Sequence, residues 1–235
     1  MKKKLAIMMM AVLLAGCSST THQEKNIKES EASAAETTAS PEASASADAS
    51  EKISITNSVA LNTKTLDMGG YVWLDDKNPN FIQITMAESL RLMDEGGSGI
   101  VVYSYDTCPF CNRAIPVLNQ AAKEAGIYVY YVDVYEKELM TPDGQSFSEE
   151  GNATVKSMMT HLDSILKHER NEETGQMEPA LYTPEVVAIK NGQITGHHVA
   201  LVDDFKLKDQ NSQMSDAQKE ELKQIYLDLF KTAAD

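Results

Sequence analysis

Residues 99–105 read Gly-Ile-Val-Val-Tyr-Ser-Tyr, a β-branched and aromatic run with little polar alternation. Such a run predicts a buried strand, and a strand buried on both faces needs helices above and below its sheet. It leads straight into Cys108-Pro109-Phe110-Cys111, and the next residues carry Ala114, Ile115, Leu118 and Ala122 at helical spacing. Strand, tight turn and helix in that order restrict the chain to an α/β architecture. Pro116 falls inside the helix and predicts a kink.

The neighbouring segments extend the pattern. Phe81–Thr85 reads as a short strand. Thr85 and Glu88 have capping-box spacing, with Met86, Leu90 and Met93 on one helical face before the Gly-Gly-Ser-Gly stop. Residues 127–134 predict the next strand. Residues 135–152 read as loop, and the stretch from Asn152 predicts a helix on Val155, Met158, Met159, Leu162, Ile165 and Leu166. Residues 185–190 and 193–201 flank Asn191-Gly192, a type I′ hairpin signal. Ser215 to Gln218 caps a last helix with Leu222, Ile225, Tyr226 and Leu229 inward. The predicted order is β-α-β-α-β-α-β-β-α, giving a mixed sheet with helices on both faces. Residues 52–80, with the single Trp73, predict a strand or cap packed on that domain.

The first 51 residues predict no fold. Met1 to Lys4 is basic, and about a dozen apolar residues follow, too few for a membrane span but suited to a secretory leader. The leader ends Leu14-Ala15-Gly16-Cys17, which resembles a bacterial lipobox. That resemblance implies cleavage before Cys17 and its lipidation, so residues 1–16 are the signal peptide. Residues 17–51 are rich in Ser, Ala, Thr and Glu and cannot bury enough apolar surface to offset ordering entropy. They form a tether of roughly 30–35 Å average span. An anchored protein of this kind works outside the cytoplasm, where disulfides persist. The formal net charge of −14 argues against nucleic acid as a partner, since phosphate binding needs clustered Lys and Arg.

Three cysteines are present, and Cys17 is committed to the anchor. Cys108 and Cys111 lie on one face of a helix, within reach of a disulfide. Cys108 falls at the N-cap with Pro109 at the first helical position. Unpaired N–H groups and the helix dipole there stabilise a thiolate. An exposed Cys108 is therefore the expected nucleophile, and the more buried Cys111 the resolving thiol. The bland alternatives are two core cysteines or half a zinc site. A zinc site wants four ligands, whereas His197 and His198 are adjacent on a strand and face opposite ways. His161 and His168 are expected to face solvent, and Met158-Met159 to lie in the core. No metal and no cofactor are expected.

The strand running into Cys-Pro-Phe-Cys, Pro116 eight residues after Cys108, Thr183-Pro184, and Ala188-Ile189-Lys190-Asn191-Gly192-Gln193 together resemble the thioredoxin superfamily across residues 81–232. The resemblance implies a thioredoxin-like three-layer α/β/α domain over 81–235, with residues 52–80 as an N-terminal extension and an enlarged helical segment before a cis-proline. It implies catalytic Cys108 and Cys111. Pro184 in cis would hold the Thr183 backbone open to a substrate strand, with Pro109 and Phe110 on the same surface. The family's buried carboxylate six residues before the first cysteine is replaced by Val102; Glu185 and Asp106 are the possible substitutes. Thr107 stands where the family carries a Trp.

With the anchor, the chain is similar to thioredoxin-like lipoproteins of Gram-positive bacteria, including the bacteriocin transport accessory family. That implies a monomeric, membrane-anchored thiol–disulfide oxidoreductase outside the cytoplasm. Its partners would be exported cysteine-containing proteins and a separate redox protein. The alternative is a non-enzymatic adaptor or holdase for an exported peptide, with a static disulfide.

Overall fold

The computed structural model describes residues 52–235. The expected leader, the expected lipidation of Cys17 and the 17–51 tether fall outside the described residues. In chain order the elements are β1 (Thr63–Lys64), β2 (Phe81–Ile84), α1 (Met86–Asp94), β3 (Gly99–Ser104), α2 (Pro109–Ala125) and β4 (Val129–Asp133). After a 3₁₀ turn (Lys137–Leu139) come α3 (Glu149–His161), β5 (Lys167–Arg170), β6 (Met177–Ala180), β7 (Glu185–Lys190), β8 (Gln193–Val199) and α4 (Asp216–Ala233).

Six strands form one mixed sheet in the order β1-β2-β4-β3-β7-β8. β2, β4 and β3 are parallel, while β1, β7 and β8 each run antiparallel to their neighbours. The β2-α1-β3 connection steps across the sheet and β3-α2-β4 steps back. Right-handed crossovers in opposite directions put their helices on opposite faces. Two apolar cores result. One joins α2 and α4 to Val102, Val129, Val186 and Ala188. The other joins α1 and α3 to Val101, Tyr103, Val187 and Ile189. All six residues of β3 are buried, with Ile100 and Val102 in the first core and Val101 and Tyr103 in the second.

The α/β class, the mixed sheet and the predicted order of strands and helices are all present. Ser215 and Gln218 form the full capping box of α4. Asn191 and Gly192 both have positive φ, 50° and 76°, as a type I′ turn requires. Helix α2 runs through Pro116 without ending.

Four details differ from the expectations. Thr85 caps α1 through the Glu88 N–H, but the Glu88 side chain turns to Asn62 and Arg91 instead of completing the box. Leu92, not Leu90, is the buried leucine of that helix. Helix α3 starts at Glu149, capped by Ser148, and ends at His161. Its predicted continuation gives way to β5 and β6, an exposed antiparallel hairpin of Lys-His-Glu-Arg against Met-Glu-Pro-Ala. That hairpin has no buried face, so no apolar period marks it.

Candidate active site

Tyr103 of β3 pairs with Glu185 of β7. Because the two strands are antiparallel, the loop leaving β3 and the segment entering β7 meet at one end of these two central strands. The first carries Cys108 to Cys111 and the second carries Thr183-Pro184. The Thr183–Pro184 bond is cis, and the Thr183 carbonyl and hydroxyl oxygens each lie 3.6 Å from Cys108 Sγ.

Cys108 is the N-cap of α2, with extended backbone, and its sulfur accepts from the Cys111 N–H at 3.1 Å. Pro109 takes the first helical position, where its missing N–H leaves nothing unpaired. Cys108 and Cys111 form a close pair with Cα atoms 5.1 Å apart, inside disulfide range. Cys111 is fully buried, and Cys108 is 2% exposed. The expected exposure of Cys108 is thus corrected. Thr183 lies against its sulfur, and Cys108 belongs to the α2–α4 core together with Tyr71 of the N-terminal extension. Phe110, two residues on in α2, Tyr182, next to Thr183, and Val72, whose N–H bonds Asn112, are all open to solvent.

Residues 70–73 of the N-terminal extension pack over this end of the sheet. The Val72 N–H donates to Asn112 Oδ1 at 2.9 Å. Gly70 lies so close to Asp106 that a Cβ there would sit 2.2 Å from the carboxylate oxygen. The Tyr71 hydroxyl bonds Ser104 Oγ at 2.7 Å and the Tyr131 hydroxyl at 2.9 Å. Burial pushes both tyrosines well above the ordinary phenol range. Trp73 carries the Arg113 guanidinium 4.5 Å from its ring centroid.

The two proposed substitutes for the missing carboxylate fall differently. Glu185 is buried and pairs in register with Tyr103, so its side chain shares the α1–α3 face, opposite the cysteines. Its oxygen meets His197 Nδ1 at 2.9 Å, and burial raises its carboxyl. Asp106 is on the right side but exposed. What the dithiol face does bury beside Val102 is the Tyr71–Ser104–Tyr131 hydroxyl chain. Ser104 could have been found, since it lies two residues after Val102 on the same strand face. Tyr71 could not, because nothing local ties residue 71 to β3.

The remaining candidates are dispersed. His161 meets Asp94 and His168 meets Asp163, each at 3.0 Å, and Met158 is core. Among the described residues no group of three or more His, Cys, Asp or Glu is arranged to hold a metal, and no helix is long and apolar enough to cross a membrane. Comparison with protein-family models and with curated proteins gave no match.

Proposed function

We propose that the chain is a thiol–disulfide oxidoreductase of thioredoxin-like fold, acting on exported proteins from a lipid anchor at Cys17. The observation that carries this is the Cys108–Cys111 pair at the start of α2 with Thr183-Pro184 laid against its sulfur. The sheet order β2-β4-β3-β7-β8, with its last two strands antiparallel, agrees with that fold. The chemistry is disulfide exchange. A substrate thiolate attacks Cys108 Sγ, the Cys108–Cys111 bond breaks, and Cys111 leaves as a thiolate that takes up a proton. A second substrate thiolate then attacks the mixed disulfide, Cys108 leaves, and two electrons have passed to the pair. Reduction of a substrate is the same sequence reversed. Phe110, inside the dithiol motif, and Tyr182, next to Thr183, are exposed and available for apolar contact with a substrate, and the Thr183 backbone is available for strand pairing.

The adaptor reading is favoured by one observation, the near-complete burial of Cys108. Trapping separates the two. Cys111→Ala should accumulate disulfide-linked partners on non-reducing gels, because the resolving thiol is gone, while Cys108→Ala should trap nothing. Equal trapping by both variants, or none by either with normal secretion of cysteine-containing proteins, selects the adaptor.

A further inference from the structure

Arg113 lies on α2 five residues after Cys108 and is only 3% exposed. Its donors are satisfied by carbonyls: Nε donates to Ser212 O at 2.5 Å and a terminal nitrogen to Gln210 O at 2.9 Å. The other terminal nitrogen donates to the carbonyl of Pro109, the residue bonded to Cys108. The Trp73 indole covers the guanidinium face. None of these groups carries a negative charge, and among the described residues Arg113 makes no ion pair. A guanidinium stays protonated in proteins, so the arrangement fixes a buried positive charge one turn from the helix start, with only the exposed Asp209 carboxylate acting on it from a distance.

Resting on the oxidoreductase reading, we infer that Arg113 tunes the dithiol, holding the Cys108 thiolate and so biasing the Cys108–Cys111 pair toward the reduced, oxidant-type end of its range. The Pro-Phe dipeptide supplies no charge of its own. Helix polarity favours a thiolate at this N-cap, and a charge screened from water by Trp73 and residues 210–212 acts at higher effective strength than one in solvent. The other charged or titratable groups near the helix start are placed differently. Asp106 and Asp209 are exposed, and Asp209 draws on the guanidinium from the segment before α4. Asp133, at the end of β4, is partly buried with its carboxyl pushed up by burial. Tyr71 and Tyr131 are held neutral by burial, and Glu185 faces the other core. Arg113 acts as a positioning residue, touching neither sulfur nor substrate.

The test uses the full chain with two readouts. One is the pH dependence of alkylation at Cys108, read by peptide mass in a Cys111→Ala background. The other is the midpoint of the wild-type pair in a glutathione series. Arg113→Met should lower the Cys108 thiolate fraction about tenfold at a given pH. It should also make the midpoint about 30 mV more negative, the equivalent of tenfold in equilibrium constant. Arg113→Lys should stay within about threefold of wild type. Asp209→Asn, an exposed change that leaves the helix intact, should move both readouts the opposite way. A folded Arg113→Met protein with both readouts unchanged overturns the inference, as does an equal loss from Lys and Met. If neither Arg113 variant folds, an unmoved or oppositely moved Asp209→Asn overturns it. A wild-type pair that never exchanges with glutathione sinks the oxidoreductase reading instead, and the alkylation arm still reads Arg113.

Discussion

Glu136 shows how tightly single residues are fixed here. It is 4% exposed, its Oε2 accepts the Met86 N–H at 2.9 Å at the start of α1, and Lys64 stands 3.9 Å from Oε1. Burial pushes its carboxyl up, partly offset by the Met86 N–H and Lys64. With the folded pKa raised, stability is full below the ordinary carboxylate pKa and is lost as pH rises through the folded value. Glu136→Gln keeps an acceptor for Met86 without the buried charge. Its thermal midpoint should therefore gain on wild type between pH 4 and pH 7, whereas a constant gap would mean that Glu136 ionises freely. Gly70→Ala forces a Cβ against Asp106 and should cost about 1–3 kcal/mol in urea unfolding. At this scale the cysteines and Pro109 were legible because each depends on its immediate neighbours in sequence, and Thr183-Pro184, 75 residues from Cys108, was legible only through the family resemblance. The burial of Cys108 and the Tyr71–Ser104–Tyr131 chain were not, since they need segments about 30 residues and more apart.

Helix α2 carries Asn112 and Asn119, seven residues apart and so on one face. Both would read from sequence as solvent-facing, yet they are 7% and 4% exposed. The N-terminal extension covers them. Asn112 receives the Val72 N–H. Asn119 receives the Asn80 N–H and donates to Asp76, both at 2.8 Å. An amphipathic reading of α2 finds its core side correctly, through Ala114, Ile115 and Leu118. It misses the polar seam, because the hydrogen bonds come from residues 72–80. Asn119→Ala leaves the half-buried Asn80 N–H unpaired and takes one of its bonds from Asp76, and should cost about 1 kcal/mol. Hydrogen exchange should then speed up over residues 71–80 while β3 and β7 stay protected; uniform acceleration would mean the extension and sheet open together. Asp76, bonded to Lys123, Asn119 and the Asn78 N–H, has its pKa lowered to about 2. A lowered value gives stability that is present above the ordinary carboxylate range and lost as pH falls toward about 2. The anchoring of the extension should therefore loosen in acid, as exchange at Val72 and Asn80 would report.

Across the whole molecule, local pattern and tertiary context divide cleanly. The buried run of β3, the type I′ turn and the capping box of α4 specified elements and their order, and right-handed crossovers carried that order to a two-faced sheet. The exposed β5–β6 hairpin, with no buried face, left no period to read. The placement of residues 52–80 against the dithiol end left none either, because its apolar contacts, Tyr71, Leu66, Met68 and Leu74 among them, are irregularly spaced and its hydrogen bonds and Trp–Arg contact come from residues far away in sequence. The proposed function requires that Cys108 and Cys111 exchange electrons in the native fold. Equilibrating the folded full chain across a glutathione series, then counting free thiols at Cys108 and Cys111 by mass, measures this directly. The account predicts a reversible two-electron transition centred above about −300 mV, within reach of glutathione. A pair that stays oxidised at every ratio until the chain is unfolded would contradict it.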